Sequence, residues 1–419
     1  MILIMTVRYP MHKKLWNKDF LLLLQGNAVS SLGDLMYSVA IGYWVYQQTG
    51  SSALMGVMSS ISMFVTMFLS PFCGSIVDKC NRKWVIVSID AVQGLLMLSV
   101  GVLAYLNALN VPSVLGVALL AAFGSVFYSP AISTLMIDII PRDDMIRGQS
   151  IHSGVVNLIN LVGTAFSGAM VAFLGVPLIV VINGASNLYS ALTELFVTVP
   201  RTVQQGQKVT VGGVLRDSRR AVGTIFQDSL LRLFIPGALI LNLLCGGPMS
   251  LLLPFCLEKG FSVDQYGILG FVFMAGSLVG VVLMGTVKLK PKARFLVMAL
   301  GFSCSVPFYT AAYLTKGFLP LCALCFSAAF LNCLGNAVFG ACLNLALPQE
   351  NRSAILGVVQ SGSMGGMALS ALIYGLLGDV FPLYLVFAVG SAVSLPIMLY
   401  LCFHHRMKEF VVHHAGSER

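Results

Sequence analysis

The chain has 419 residues, of which 57% are hydrophobic and only 10% are charged, and its formal net charge is +9. A soluble protein would not expose this much apolar surface to water, so the composition excludes the soluble classes. In a membrane protein the excess of Lys and Arg indicates cytoplasmic loops rather than contact with nucleic acid. The ten Cys are scattered through apolar stretches, which is typical of small buried residues rather than of disulfides or a metal site.

Apolar windows of roughly 20 residues or more, long enough to cross a bilayer, recur twelve times. The predicted spans are 19–47, 53–77, 84–107, 113–139, 147–173, 177–198, 230–256, 264–288, 293–315, 318–346, 353–378 and 381–403. With both termini in the cytoplasm, every Lys and Arg except Lys259 and Lys316 falls on an inner segment or an inner helix end. The pattern therefore predicts an all-α, multi-pass membrane protein with an even number of spans.

Two acids inside these spans are candidates for proton coupling. Asp34 is near the middle of the first, where a charged carboxyl costs about 2.5–3.5 kcal/mol on insertion scales. We interpret it as a proton-coupling residue, the alternative being a polar anchor hydrogen-bonded to Ser30, Ser31 or a neighbouring helix. Glu194, near the inner end of the sixth span, is the second proton-coupling candidate, unless it extends to the membrane interface.

A short charged loop joins the second and third spans, in a chain with few charges. Such a loop cannot lie in hydrocarbon and is predicted to form a tight cytoplasmic turn. We expect it to act as a conformational gate through Gly74, Asp78, Lys79, Arg82 and Lys83. Asp90 and Asp138, at the predicted inner ends of helices 3 and 4, are the expected partners of its bases.

The spacing in this loop is Gly, three residues, Asp, a base, two residues and two bases, with Asn81 where a Gly is usual. Between a second and a third span it resembles the signature loop of the major facilitator superfamily. The resemblance implies two pseudo-symmetric six-helix halves with a substrate site between them. A repeat about 207 residues apart supports this, since Ile140-Pro141 and Ser153-Gly154 recur as Leu347-Pro348 and Ser361-Gly362.

The predicted organisation follows from the spans and from the long polar break between the sixth and the seventh. That break, Pro200–Ser229, contains a stretch, Val214–Phe226, that is either an amphipathic helix on the inner membrane surface or a solvated tether. The expected segments are a cytoplasmic N-terminal tail (1–18), a six-helix half (19–199), a cytoplasmic linker (200–229), a second six-helix half (230–403) and a cytoplasmic C-terminal tail (404–419).

Within the superfamily the chain is similar to the branch of drug:proton antiporters that holds macrolide-efflux proteins and the enterobactin exporter. The similarity lies in 25–34, in 43–51 and in Tyr128-Ser129-Pro130-Ala131. It implies a bacterial inner-membrane exporter coupled to proton entry. Two departures concern that coupling: Ala121 replaces a frequent Arg, and Gly163-Thr164 replaces the Gly-Pro of antiporters.

Aromatic and amide side chains within the spans are candidates for a substrate cavity, although each is also compatible with packing. The candidates are Tyr37, Trp44, Phe127, Asn157, Asn336, Phe339 and Gln360. The expected function is export of amphipathic or lipophilic, macrolide-like compounds by alternating access. Export of a siderophore or a lipid, and a non-transporting membrane sensor, are the alternatives.

No phosphate-binding loop, zinc-protease motif or nucleophile elbow with plausible partners occurs, so we expect no enzyme activity. The expected partners are a small-molecule substrate, protons and the lipid bilayer. We expect a monomer without nucleic acid, cofactor or metal.

Overall fold

The structure, a computed structural model, describes residues 15–77, 80–141, 144–198, 211–228, 231–287, 290–346 and 352–413. Within these ranges the regular elements are α-helices, without a strand. They are α1 (Lys18–Thr49), α2 (Ser52–Val77), α3 (Arg82–Tyr105), α4 (Val111–Ile139), α5 (Met145–Leu174), α6 (Val176–Leu195), α7 (Val211–Gln227), α8 (Leu231–Ser250), α9 (Leu252–Glu258), α10 (Val263–Thr286), α11 (Pro291–Leu314), α12 (Phe318–Ala346), α13 (Arg352–Gly378), α14 (Leu383–Phe403) and α15 (His405–His413).

Across the described residues, eleven helices are long and apolar enough to cross a membrane. They are α2 to α6, α8 and α10 to α14. The remaining long helix, α1, has 32 residues but carries Gln25, Asn27, Ser30 and Asp34, which lower its hydropathy. The all-α, multi-pass membrane architecture is therefore confirmed, and the helix with the unusual composition is the one that holds the central acid.

The predicted seventh span, 230–256, is divided into α8 and α9 at Leu251. Pro248 lies just before the break and has no N–H to bond the Leu244 carbonyl. The Tyr374 hydroxyl donates to that carbonyl instead, so a side chain replaces the missing backbone bond. Since hydrocarbon offers no water to do this, the tyrosine makes the irregular turn tolerable within the membrane.

The described chain forms two compact units. Unit 1 comprises Met1–Ala40, Phe72–Gly163 and Leu174–Val209, and unit 2 comprises Ile41–Pro71, Thr164–Phe173 and Thr210–Arg419. Unit 2 thus contains segments from both predicted six-helix halves. The division into halves at 199 and 230 describes the repeat in the sequence and stays a prediction.

In unit 1, α6 packs closely against both α1 and α3 because glycines lie at the crossings. A methyl group added at Gly94 of α3 would lie 3.0 Å from the Gly184 carbonyl oxygen of α6. One added at Gly33 of α1 would lie 2.7 Å from Asn183 Oδ1. The absence of a Cβ therefore lets α1, α3 and α6 approach each other at their polar residues.

In unit 2, small residues bring α2 against α13 and the end of α5 against the start of α10. A methyl group at Gly375 would lie 2.7 Å from the Ser52 carbonyl oxygen. Ser60 Oγ also donates to the Ala368 carbonyl at 2.8 Å. The Asp379 carboxylate accepts from Ser51 Oγ at 2.7 Å and so caps the start of α2.

The segment between the sixth and seventh spans forms α7, so the helical one of its two interpretations is confirmed. Ile225 is only 3% exposed and packs with Leu231, Ile235 and Ile355. Arg216 and Phe226 are exposed on the same helix. Among the side chains of this helix that the structure describes, Ile225 packs against unit 2, whereas Arg216 and Phe226 are exposed.

Candidate functional site

Three carboxyl groups of unit 1 lie close together within the membrane-spanning helices: Asp34 on α1, Asp90 on α3 and Glu194 on α6. Asp90 is 2% exposed and Glu194 is fully buried. Asp90 interacts electrostatically with both of the other acids. We call these three residues the carboxyl cluster.

The cluster is positioned by a polar stripe along α6. Asn183, Ser186, Asn187, Ser190 and Glu194 recur at helical spacing and are all buried. Residues three and four apart on a helix share a face, so this stripe is continuous along the side that meets α1 and α3. The close crossings at the glycines place the acids of the two neighbouring helices against it.

Asp34 lies at the accessible edge of the cluster. Its Oδ1 accepts a hydrogen bond from Asn187 Nδ2 at 3.2 Å, and the same amide donates to Asn183 Oδ1 at 2.9 Å. The Asp34 side chain is itself solvent-accessible, whereas both amides are buried. Asp34 is therefore the member of the cluster whose carboxyl is exposed, and it remains bonded to the stripe. Tyr37, a predicted cavity residue, lies near Asp34, and its buried hydroxyl lacks a hydrogen-bond partner among the described residues.

Glu194 lies at the buried end of a short hydrogen-bond chain. Asn27 Nδ2 donates to the Tyr128 hydroxyl at 3.4 Å, and that hydroxyl donates to Glu194 Oε1 at 3.3 Å. Ser190 lies beside the carboxyls of both Glu194 and Asp90. Glu194 Oε2 and Asp90 Oδ2 are buried without a hydrogen-bond partner in the described chain, so each keeps an oxygen able to take a proton.

No Lys or Arg of the described residues forms an ion pair with any member of the cluster. Charged carboxyls in a membrane bundle are costly without a cation, and neighbouring carboxylates repel each other. Protons are the positive charges that such a site can take up without a large ligand shell. The arrangement is therefore suited to binding and releasing protons.

Of the described bases in the predicted gate, Arg82 pairs with an acid as expected, whereas Lys83 bonds a backbone carbonyl. Arg82 forms an ion pair with Asp138, as the sequence suggested. Lys83 Nζ donates to the Leu195 carbonyl at 2.7 Å and thereby caps the end of α6. Gly74 is within α2, whereas Asp78 and Lys79 lie outside the described residues.

Asp90 requires a correction of position. It was expected near the inner end of helix 3, paired with a base of the loop. The helix begins at Arg82, so residue 90 is eight residues or about 12 Å further along the axis. Burial between α3 and α6 places it with Glu194 and Ser190 instead.

Unit 2 contains a cavity of about 420 Å³ bordered by residues of α8 to α15. Of the seven predicted substrate residues, Asn336 and Phe339 line it. The others lie elsewhere: Tyr37 is near Asp34, Phe127 packs on the apolar core of unit 1, Trp44 is half-buried at the end of α1, and Asn157 and Gln360 are exposed. The structure thus assembles two of the seven at one cavity.

Sequence reasoning missed Tyr128, Asn27 and Ser190 as members of the site. Tyr128 was noted in a family resemblance and among the aromatic residues of the spans, but not as a partner of Glu194. The signal available was the polar stripe of α6, in which five buried polar residues recur at helical spacing. Hydropathy averaged over a whole span hides such a stripe.

The fold and the buried carboxyls define a polytopic membrane transporter. The sequence model of the Major Facilitator Superfamily matches residues 23–285 and 249–410, and the chain belongs to that family. Among curated relatives, macrolide efflux protein A of Streptococcus pyogenes is 20% identical over 74% of this chain and 77% of its own length. The multidrug efflux pump Tap of Mycolicibacterium fortuitum is 23% identical over 90% of this chain and 93% of its own.

Solved structures share the fold. A bacterial homologue of the human lysosomal transporter Spinster superposes with a TM-score of 0.72 at 17% identity, over 96% of this chain and 98% of that one. The nucleoside transporter NupG gives 0.71 at 13% identity, over 92% and 99%. At such identities the likeness concerns the fold alone.

Proposed function

We propose that this protein is a secondary active exporter of amphipathic or lipophilic small molecules, and that proton entry drives it. Two relatives that cover most of its length are named as efflux proteins, one for macrolides and one for multiple drugs. Membership of a transporter family makes alternating access the general mechanism.

The observation that carries the proton coupling is the carboxyl cluster. The Asp34 side chain is exposed, whereas Asp90 and Glu194 are buried, and no described base neutralises them. Asp34 therefore serves as the entry point, and Glu194, bonded through Tyr128, serves as the interior acceptor. Ala121 stands where many members of the resembled branch have an Arg that is linked to proton coupling, so in this chain the proposed coupling rests on the carboxyl cluster.

Proton binding would favour one conformation because neutral carboxyls can be enclosed in a dry bundle, whereas charged ones require water. The Arg82–Asp138 ion pair and the Lys83 cap would hold the predicted inner ends of α3, α4 and α6 together as one body. Substrate would bind in the apolar cavity with Asn336 and Phe339 on its walls.

The test is efflux of a panel of dyes and antibiotics from cells that express the wild type, Asp34→Asn or Glu194→Gln, with and without a protonophore. We expect the protonophore and each substitution to abolish efflux at equal membrane levels. Asp264→Asn is the control, because Asp264 is an exposed carboxyl at the start of α10. It should transport normally.

Efflux that survives the protonophore would disprove proton coupling while leaving export intact. A panel in which no compound moves would disprove drug export and favour a dedicated substrate, such as a siderophore or a lipid.

A further inference from the structure

The cavity in unit 2 differs chemically from the carboxyl cluster in unit 1. Among the described residues that line it, none is Asp, Glu, Lys, Arg or His. Its volume of about 420 Å³ falls within the range of small-molecule sites, about 300–1,000 Å³. A cavity of this size without a charged wall favours an uncharged ligand.

One wall of the cavity is aromatic. Tyr309 stacks on Phe273 with ring centroids 5.9 Å apart and on Tyr313 at 6.3 Å. Phe302 meets Phe339 edge to face at 6.3 Å. These rings offer flat apolar area to a planar or polycyclic compound.

The polar atoms in the cavity are few and mostly bonded to each other. Asn336 Nδ2 donates to Asn332 Oδ1 at 2.7 Å, and Asn242 Nδ2 donates to Ser363 Oγ at 3.3 Å. Tyr309 and Tyr313 both line the cavity, and neither hydroxyl makes a hydrogen bond to another described residue. Hydroxyl groups that can donate or accept are suited to a neutral oxygen or nitrogen of a ligand.

We propose that this cavity is the substrate site and that it selects uncharged, ring-containing lipophilic compounds over cations of the same shape. The inference rests on the proposed export function and adds the substrate class. A cationic analogue would bury its charge among apolar and amide groups with no anion to pair it. Judged by insertion scales for buried charges, the cost of burying that charge corresponds to binding of the cation about 100-fold weaker than binding of the neutral compound.

A cysteine provides a readout that does not depend on transport. Cys245 lines the cavity and is accessible, and Cys80, on the loop before α3, is exposed and belongs to unit 1. N-ethylmaleimide would alkylate both in the purified full chain, with mass spectrometry following each peptide. A ligand in the cavity should protect Cys245 and leave Cys80 unchanged.

The probes are 1-pyrenemethanol and 1-pyrenemethylammonium, which differ chiefly in charge. At about ten times its Kd, pyrenemethanol should slow alkylation of Cys245 about tenfold, because the empty fraction falls by that factor. The ammonium compound at the same concentration should leave the rate unchanged. Asn336→Asp, which adds a carboxylate of the same shape to the wall, should reverse the preference.

Asn107→Asp is the matched control, since Asn107 is exposed in the turn after α3 and both residues tolerate its positive φ. It should keep the wild-type preference. Three results would each overturn the inference. They are equal protection of Cys245 by both probes, an unchanged preference in Asn336→Asp, and a Cys245 that does not react with N-ethylmaleimide while Cys80 does. Selective protection without efflux in cells would instead disprove export and leave the neutral-ligand site intact.

Discussion

At the scale of single residues, the three acids of unit 1 differ in how they can meet a proton. Asp34 is accessible and bonded to one amide, whereas Glu194 is fully buried and bonded to one phenol. Asp90 is an electrostatic neighbour of both. Protonation of one therefore changes the energy of charging the next, so the cluster acts as a unit rather than as separate sites.

Tyr128→Phe removes the hydroxyl that donates to Glu194 and accepts from Asn27, and it keeps the ring. Side-chain hydrogen bonds within membrane bundles average about 0.6 kcal/mol, so we expect a loss of about threefold in the rate of proton-driven efflux. The pH dependence of efflux should shift as well, because Glu194 loses a bond to its charged form. Tyr105→Phe, at an exposed position at the end of α3, is the control, and an equal effect in both would contradict the relay.

Lys259, one of the two bases outside the predicted inner regions, is bonded to the end of α11. Its Nζ donates to the carbonyls of Tyr313 and Thr315 and lies 4.9 Å from the centre of the Phe255 ring. Lys259→Met should lower the free energy of unfolding by on the order of 1–3 kcal/mol, since two partly buried carbonyl acceptors lose a charged donor. Thermal unfolding in detergent measures this, with the exposed Lys316→Met as the control.

Burial also lowers the pKa of Lys259 below its ordinary 10.5. The unfolded chain therefore binds more protons than the folded one between the lowered pKa and 10.5, and the contribution of Lys259 to stability rises with pH across that window. The stability difference between wild type and Lys259→Met should grow with pH up to about 10.5. A difference that falls with pH would contradict the lowered pKa.

At the scale of elements, the contact of α2 with α13 leaves no room for side chains. A Cβ at Gly375 would lie 2.7 Å from the Ser52 carbonyl oxygen and 3.1 Å from the Ala53 Cα, both backbone atoms that cannot rotate away. These two helices must slide or separate if unit 2 exchanges between two packings during transport. The glycine thus makes the closed packing possible.

Gly375→Leu should force α2 away from α13 and abolish efflux. Spin labels at Gln48 and Val380, both exposed in unit 2, would show a longer distance in the variant than in the wild type by double electron–electron resonance. Gly357→Leu on the same helix is the control, because a Cβ there meets nothing within 4 Å. An unchanged distance in Gly375→Leu would show that this crossing does not restrict the packing.

The elements also show what a sequence can and cannot predict. Spans and the charged loop depend on local composition, and eleven of the twelve predicted spans correspond to apolar helices. The break at Leu251 depends on Tyr374, which is more than 100 residues away, so no local pattern predicts that it is tolerated. The sequence-based prediction for Asp90 was wrong because its neighbours lie on α6. Glycines let α3 and α6 approach each other there, and the sequence alone does not identify the residues against which these glycines pack.

At the scale of the whole molecule, our proposals place protons and substrate in different units, because the carboxyl cluster belongs to unit 1 and the uncharged cavity to unit 2. Antiport then requires a coupling free energy between the two sites, typically about 1–3 kcal/mol or 5–150-fold in affinity. Such coupling is reciprocal. If protons weaken substrate binding, substrate must expel protons by the same factor.

This reciprocity can be measured with a ligand that does not titrate. Binding of 1-pyrenemethanol to the purified protein in weak buffer should release protons, detected with a pH-sensitive dye, and its affinity should rise with pH. The triple variant Asp34→Asn, Asp90→Asn, Glu194→Gln should bind the ligand with no proton release and no pH dependence, since its cluster holds no titratable carboxyl. Proton release that persists in the triple variant would place the coupling outside the cluster, and binding without release in the wild type would show that ligand and protons are not linked.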